Sequence, residues 1–163
     1  MSLIHITNGQ SDKILATIPK GHILFDEHEK SLKDSLETFE FITFADKKYS
    51  AHLGKKNRAI IPEEDGTFRE FVILGSGKHR GSDGILKAEV YTSASYLLLR
   101  KAKVIRPQSL AAQTSETAVT FSLADTEWQP GIITFNGIRT FHIESYTDPF
   151  TFLKTIAREF ELE

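Results

Sequence analysis

Short runs in which apolar and polar positions alternate dominate the chain up to Tyr91, and helical spacing takes over only afterwards. Side chains of a strand point alternately to its two faces, so alternation predicts strands. Ile4–Ile6 and Lys13–Ile18 read as two strands around Asn8-Gly9-Gln10-Ser11, where asparagine and glycine tolerate positive φ. His22–Phe25 extends this meander, and the polar stretch Glu27–Lys33 holds either a helical turn or a loop. Leu36–Phe44, LETFEFITF, places Phe39, Phe41 and Thr43 on one face and Glu40, Ile42 and Phe44 on the other. Apolar residues on both faces predict a central strand. Asp46–Lys56, with Tyr49, His52 and Leu53 embedded, suits a short helix or a wandering loop. Arg58–Ile61 and Phe68–Leu74 are strands joined through Pro62-Glu63-Glu64-Asp65-Gly66-Thr67, whose Asp-Gly supplies the turn. Gly75–Gly84 reads as a flexible loop, followed by a strand over Ile85–Tyr91.

Beyond that point Ser93–Arg100 predicts a short helix, with Ser93 or Ser95 capping the turn before Tyr96, Leu97 and Leu99. A second helix runs from Thr114 or Ser115 to about Asp125, with Ala118, Phe121 and Leu123 near helical spacing. Ile132–Phe135 and Arg139–Ser145 read as strands around Asn136-Gly137. Asp148-Pro149 opens a helix, because aspartate caps and proline suits the first helical position. Phe150, Leu153, Ala157 and Phe160 form its apolar stripe. The layout is mainly β with some α, an α+β class: an antiparallel β-barrel-like domain over residues 4–106, then the start of an α/β subdomain over 107–163, divided near Arg106-Pro107. Met1-Ser2-Leu3 reads as vector-derived, and the stripe still open at Glu163, with no closing glycine or asparagine, reads as a fragment of something longer.

At 163 residues the chain is long enough to bury a core without staples. It contains no cysteine, which removes disulfides, thiolate metal sites and cysteine nucleophiles and fits assembly in a reducing cytosol. A net charge of −2 and a pI of 6.3 give no global field for nucleic acid or an anionic membrane. No apolar run approaches the roughly 20 residues of a bilayer span. Twelve phenylalanines against one methionine and one tryptophan suggest a rigid core of flat rings against sheet faces.

Candidate chemistry is sparse. The glycine loop around Gly77-Lys78 invites comparison with a phosphate-binding loop, but Val72 stands where its first glycine belongs and His79 where its hydroxyl belongs. A strand follows it instead of a helix, leaving Lys78, His79 and Arg80 as solvated charges or as contacts for an acidic partner. None of the histidines has H-x-x-x-H spacing. His22 and His28, close to Asp26, Glu27 and Glu29, would bind metal only if folding gathered them; otherwise they lie in a polar loop. His142 alternates with Phe141 and Ile143 as a sheet-face residue. Glu63-Glu64 is an acidic pair of the kind glycosidases separate across a cleft, yet beside Asp-Gly it reads as a hairpin tip. Trp128 reads as a packing anchor, with carbohydrate stacking as the sharper alternative. No catalytic, cofactor-binding or metal-ligating residue is assigned, and no cofactor is expected.

The succession Ser35-Leu36-Glu37-Thr38-Phe39-Glu40-Phe41, Arg58-Ala59-Ile60-Ile61 and Asp65-Gly66-Thr67-Phe68-Arg69-Glu70-Phe71-Val72-Ile73 resembles the N-terminal region of phage minor structural proteins. These are also called prophage tail endopeptidases or tail-associated lysins. Thr126-Glu127-Trp128-Gln129-Pro130-Gly131 is similar to the family's T-x-W-x-x-G segment, and Asp148–Phe160 resembles the helix that opens its next subdomain. Ala45-Asp46-Lys47-Lys48-Tyr49 departs from the pattern in lacking a proline. The resemblance implies a baseplate hub at the virion tail tip. Such a hub is a homotrimer in the full-length protein, whose barrel-like domains form a pseudo-sixfold ring. It would join the distal tail protein and tape measure protein to downstream fibre or lytic domains. Any peptidoglycan hydrolase activity is then expected downstream. The alternatives are a cell-wall hydrolase fragment using Glu63 or Glu64, and a host-surface binding module using Trp128 or Lys78–Arg80.

Overall fold

The computed structural model describes residues 3–31, 36–135 and 137–161. Met1-Ser2, the end of the polar stretch at Lys33, Ser35, the Asn136 half of the expected Asn136-Gly137 turn, and the helix end at Glu163 lie outside the described residues.

Alternation in the first unit, Met1–Ser95, produces seven strands: β1 (Leu3–Thr7), β2 (Ile14–Pro19), β3 (Ile23–Ser31), β4 (Leu36–Phe44), β5 (Arg58–Pro62), β6 (Phe68–Arg80) and β7 (Leu86–Ala94). They form one antiparallel sheet in the order β2-β1-β5-β6-β7-β4-β3. Among the described residues β2 and β3 do not pair, so the sheet is open and the barrel-like expectation is corrected to an open sheet. The α+β class itself holds.

β4 occupies the span expected of it, and its two faces are unequal. Glu37, Phe39, Phe41 and Thr43 are buried, while Thr38, Ile42 and Phe44 are only half-buried and Glu40 is exposed. The core gathers rings from β4 and β6, with Phe39 5.5 Å from both Phe41 on its own strand and Phe71 on β6. Each such ring contributes about 1.5–3 kcal/mol through burial. Two buried hydroxyls are satisfied inside this layer: Thr92 Oγ1 donates to Phe39 O at 2.6 Å, and Thr43 Oγ1 donates to His22 O at 2.7 Å, whereas Thr7 Oγ1 has no partner among the described residues. Tyr49, on the 3-10 turn Lys48–His52, shares a 2.9 Å hydrogen bond with Thr43 Oγ1. Burial raises its phenol pKa.

Two stretches expected to be irregular are strand. β3 continues through the polar residues to Ser31, because an edge strand facing solvent needs no apolar face to hold its ladder on β4. β6 runs to Arg80 through Gly75 and Gly77, paired with β7 down to Arg80↔Leu86, with a register shift between Ile73 and Gly75. The Gly75–Gly84 loop therefore contracts to a turn, closed by Gly84 N–H to Gly81 O at 3.0 Å, with Gly84 at φ +77°.

The second unit, Tyr96–Glu163, holds α1 (Leu99–Ala102), β8 (Gln108–Thr114), α2 (Ser115–Leu123), β9 (Ile138–Ile143) and α3 (Pro149–Glu159). The chain enters it between Ser95 and Tyr96, whereas sequence reading placed the division near Arg106-Pro107. The reason is packing: Leu99 joins Leu123 and Phe150 in one apolar cluster, and Ile105 joins a second with Phe141, Phe152, Ile156 and Phe160. α2 and α3 begin at side-chain caps, Thr114 accepting from Thr117 N–H at 3.1 Å and Asp148 from Thr151 N–H at 3.0 Å. The expected strand Ile132–Phe135 is not formed; β9 pairs instead with β8, a polar strand that alternation had not marked. No helix among the described residues is long and apolar enough to cross a membrane.

Candidate functional site

The residues singled out for chemistry are dispersed by the fold. Alternation along β3 puts Glu27 and Glu29 on one face and Asp26 and His28 on the other, while His22 precedes the strand with its ring 5.4 Å from Phe44. Among the described residues no group of three histidine, aspartate or glutamate side chains is placed to hold a metal ion. Lys78, His79 and Arg80 stand on β6 as exposed residues, with His79 Nδ1 3.7 Å from Glu89 Oε1 across the hairpin. Glu63 and Glu64 do not form a dyad: Glu63 accepts from Arg69 Nε at 3.3 Å, and Glu64 is exposed at the β5–β6 tip. His142 is an exposed face residue of β9, 2.9 Å from Ser109 Oγ on β8. Trp128 packs against the Leu99, Leu123 and Phe150 cluster.

The feature that sequence reasoning missed is Glu37, which is fully buried. Its Oε1 accepts from His28 Nε2 at 2.8 Å and lies 3.6 Å from Arg69 Nε, while Oε2 has no hydrogen-bond partner among the described residues. The His28 ring is held edge-on to Phe71 at 5.4 Å and to Phe39 at 6.4 Å. A carboxylate in this position is costly to bury unless it is paired. Three strands contribute to the cluster: His28 from β3, Glu37 from β4 and Arg69 from β6. The signal was present in the sequence, because Glu37 is in phase with Phe39, Phe41 and Thr43. By joining side chains from three strands, the cluster acts as a polar clamp on the sheet.

Exposed apolar side chains and sheet edges are what the molecule offers to other molecules. The outward face of the sheet has a shallow groove of about 110 Å³ between Phe25, Ile42 and Tyr91, bordered by Glu40 and Glu89. Tyr91 donates to Glu89 Oε2 at 3.2 Å, and the two carboxylates raise its pKa, the hydrogen bond to Glu89 first. The two edges differ: β2 (ILATIP) has no charged residue, whereas β3 carries Asp26, Glu27, His28, Glu29 and Lys30. An uncharged edge is open to pairing and a charged edge discourages it. In the second unit Ile132, Val104 and Tyr146 are exposed, Ile132 almost completely at 97%.

No family model matches the chain, and no curated protein matches it. Among solved structures the chain is similar to a tail protein from Neisseria meningitidis MC58, with a TM-score of 0.52 at 13% sequence identity. The likeness covers 97% of this chain and 45% of that one, so the chain spans under half the length of this structural neighbour. At this identity the two share a fold, and the shared fold runs through both units.

Proposed function

We propose that the chain is a structural component of a phage or prophage tail tip, the baseplate hub, and that it works by assembly. The observation that carries this reading is the fold likeness to a tail protein along 97% of the chain. The order of sequence motifs that resembles tail hub proteins supports it independently. An open sheet with one uncharged edge and exposed apolar side chains in both units suits a subunit built for contacts. In this reading the full-length protein is a trimer that meets the distal tail protein and the tape measure protein on one side and fibre or lytic domains on the other. Peptidoglycan cleavage belongs to a region other than this chain.

Light scattering coupled to size exclusion tests the reading on the full-length protein, alone and mixed with the distal tail protein of the same phage. A trimer that forms a defined complex with the distal tail protein is expected. A monomer that forms no such complex at micromolar concentration rules the hub out. Release of fragments from purified peptidoglycan by this chain alone would replace assembly with hydrolysis.

A further inference from the structure

We propose that a second copy of this chain inserts its acidic β5–β6 hairpin tip into a cationic groove on α3, giving a head-to-tail contact between copies. The proposal deepens the assembly function and rests on it. The groove measures about 650 Å³ and is lined by Arg100, Lys154 and Arg158, with Thr151, Phe150 and Asp148 beside them. Lys154 and Arg158 are one helical turn apart, so both lie on the same face of α3. Arg100 is held in place from below, its guanidinium 4.7 Å over the Phe150 ring, which stacks in turn on Tyr96 at 6.1 Å.

These cations are unspent. Arg100 and Lys154 have no ion pair among the described residues, and Arg158 meets only Glu159, at 3.4 Å on the surface. Asp148 is the one acid in the lining, and its carboxylate is occupied by Thr151 N–H at 3.0 Å and Thr151 Oγ1 at 2.7 Å. The groove therefore presents net positive charge to an incoming group.

The hairpin tip supplies the opposite charge on a rigid support. Glu63 N–H donates to Thr67 O at 2.9 Å, Gly66 N–H donates to Glu63 O at 3.2 Å, and Gly66 takes φ +83°. Asp65 Oδ1 accepts from Thr67 N–H at 2.9 Å and from Thr67 Oγ1 at 2.6 Å, which holds its carboxyl below the usual carboxylate range. Glu64 is exposed and carries no hydrogen bond or ion pair among the described residues. The other acidic stretch, Asp26–Glu29, lies along a strand interrupted by His28 and offers no protruding tip. Three cations in one groove on a chain of net charge −2 make no phosphate-tracking stripe, which favours a protein occupant over nucleic acid. Because groove and tip are different surfaces, the contact is heterologous and propagates into a ring or an open chain.

Sedimentation velocity on the full chain, at low and at high salt, tests the contact. The groove variant carries Lys154→Glu and Arg158→Glu; the tip variant carries Glu64→Lys and Asp65→Asn, which keeps an acceptor for Thr67. All four positions are on the surface, Asp65 also closing its turn, and far-UV circular dichroism verifies that the sheet is intact. Each variant alone is expected to weaken self-association about tenfold, as does raised salt. Mixing the two restores association between unlike copies, since either junction between a groove variant and a tip variant is then charge-complementary. Unchanged association in either variant, no recovery on mixing, or a wild type that stays monomeric would overturn the proposal. Loss of oligonucleotide binding in the groove variant with association unchanged would assign the groove to nucleic acid instead. If the variants still form the complex with the distal tail protein while association is unaffected, only this contact falls; if that complex never forms, the hub reading falls with it.

Discussion

Replacing His28 by alanine should unclamp the edge of the sheet, at a cost set by the buried carboxylate it leaves behind. His28 Nε2 makes the only direct hydrogen bond to Glu37 among the described residues, at 2.8 Å, and Glu37 has no exposed surface. A hydrogen bond to a charged group contributes about 1.5–3 kcal/mol. Stranding a buried charge by removing its partner costs about 3–5 kcal/mol. Two features lower the upper figure: the His28 side chain is 26% exposed, so water enters once it is gone, and Arg69 Nε remains 3.6 Å from Glu37. The expected loss is about 2–4 kcal/mol, equivalent to a fall of roughly 5–15 °C in Tm for a chain of this size. Part of any loss comes from the ring contacts with Phe39 and Phe71, so His28→Phe, which keeps a ring without a donor, isolates the polar contribution. Glu37→Leu should cost less than His28→Ala, because it removes the buried carboxylate whole and leaves only the part-exposed His28 and Arg69 without it, and it should rescue most of the His28→Ala loss. Urea unfolding followed by circular dichroism measures the wild type, His28→Ala, Glu37→Leu and their combination as a double-mutant cycle, with His28→Phe beside them. A His28→Ala loss below about 0.5 kcal/mol, or a Glu37→Leu protein as unstable as His28→Ala, would refute the clamp.

Gly9→Ala should destabilise the β1–β2 turn, because an added Cβ runs into the carbonyl oxygen of Lys56; about 1–3 kcal/mol is expected from chemical denaturation. Asp148→Ala removes the cap of α3 and should cost about 1 kcal/mol, with Asp148→Asn losing less, measured by thermal melting. Thr67→Val removes the largest cause of the lowered Asp65 pKa, so the carboxyl should titrate closer to its usual range by NMR. The sign follows from that direction: a carboxyl whose pKa is lowered by folding stabilises above its unfolded pKa, and the benefit is lost as pH falls through the folded value. Thr67→Val should therefore flatten the acid limb of the stability profile and leave the neutral plateau shape unchanged.

What was legible in the sequence and what was not divide along physical lines. β4, the β5–β6 hairpin and the start of α3 were readable because local chemistry and burial agree there: alternation in LETFEFITF, Asp-Gly at the turn, and Asp-Pro at the cap. The Glu27–Ser31 part of β3 and the whole of β8 were hidden because they lack a clear apolar alternation, so pairing with a neighbour, rather than a buried face, defines them as strand. The arm of β6 through Gly75 and Gly77 was read as loop because glycine is depleted in strands, yet the ladder with β7 carries it. Among candidate sites, sequence proximity misled. His28 is closest in sequence to Asp26, Glu27 and Glu29, but its partner is Glu37 on the adjacent strand.

α3 carries two apolar clusters at once, Phe150 in one and Phe152, Ile156 and Phe160 in the other. Neither cluster can consolidate until this helix has been made, although α1, β8, α2 and β9 all precede it along the chain. The sheet, by contrast, has every one of its strands by Ala94. During synthesis from the N-terminus the two units are therefore out of step: the sheet can fold while the ribosome is still translating the second unit, which stays open until its last helix emerges. A ribosome-stalled chain ending just before α3 would display a finished sheet trailing an unfolded tail, the form in which chaperones and proteases meet it.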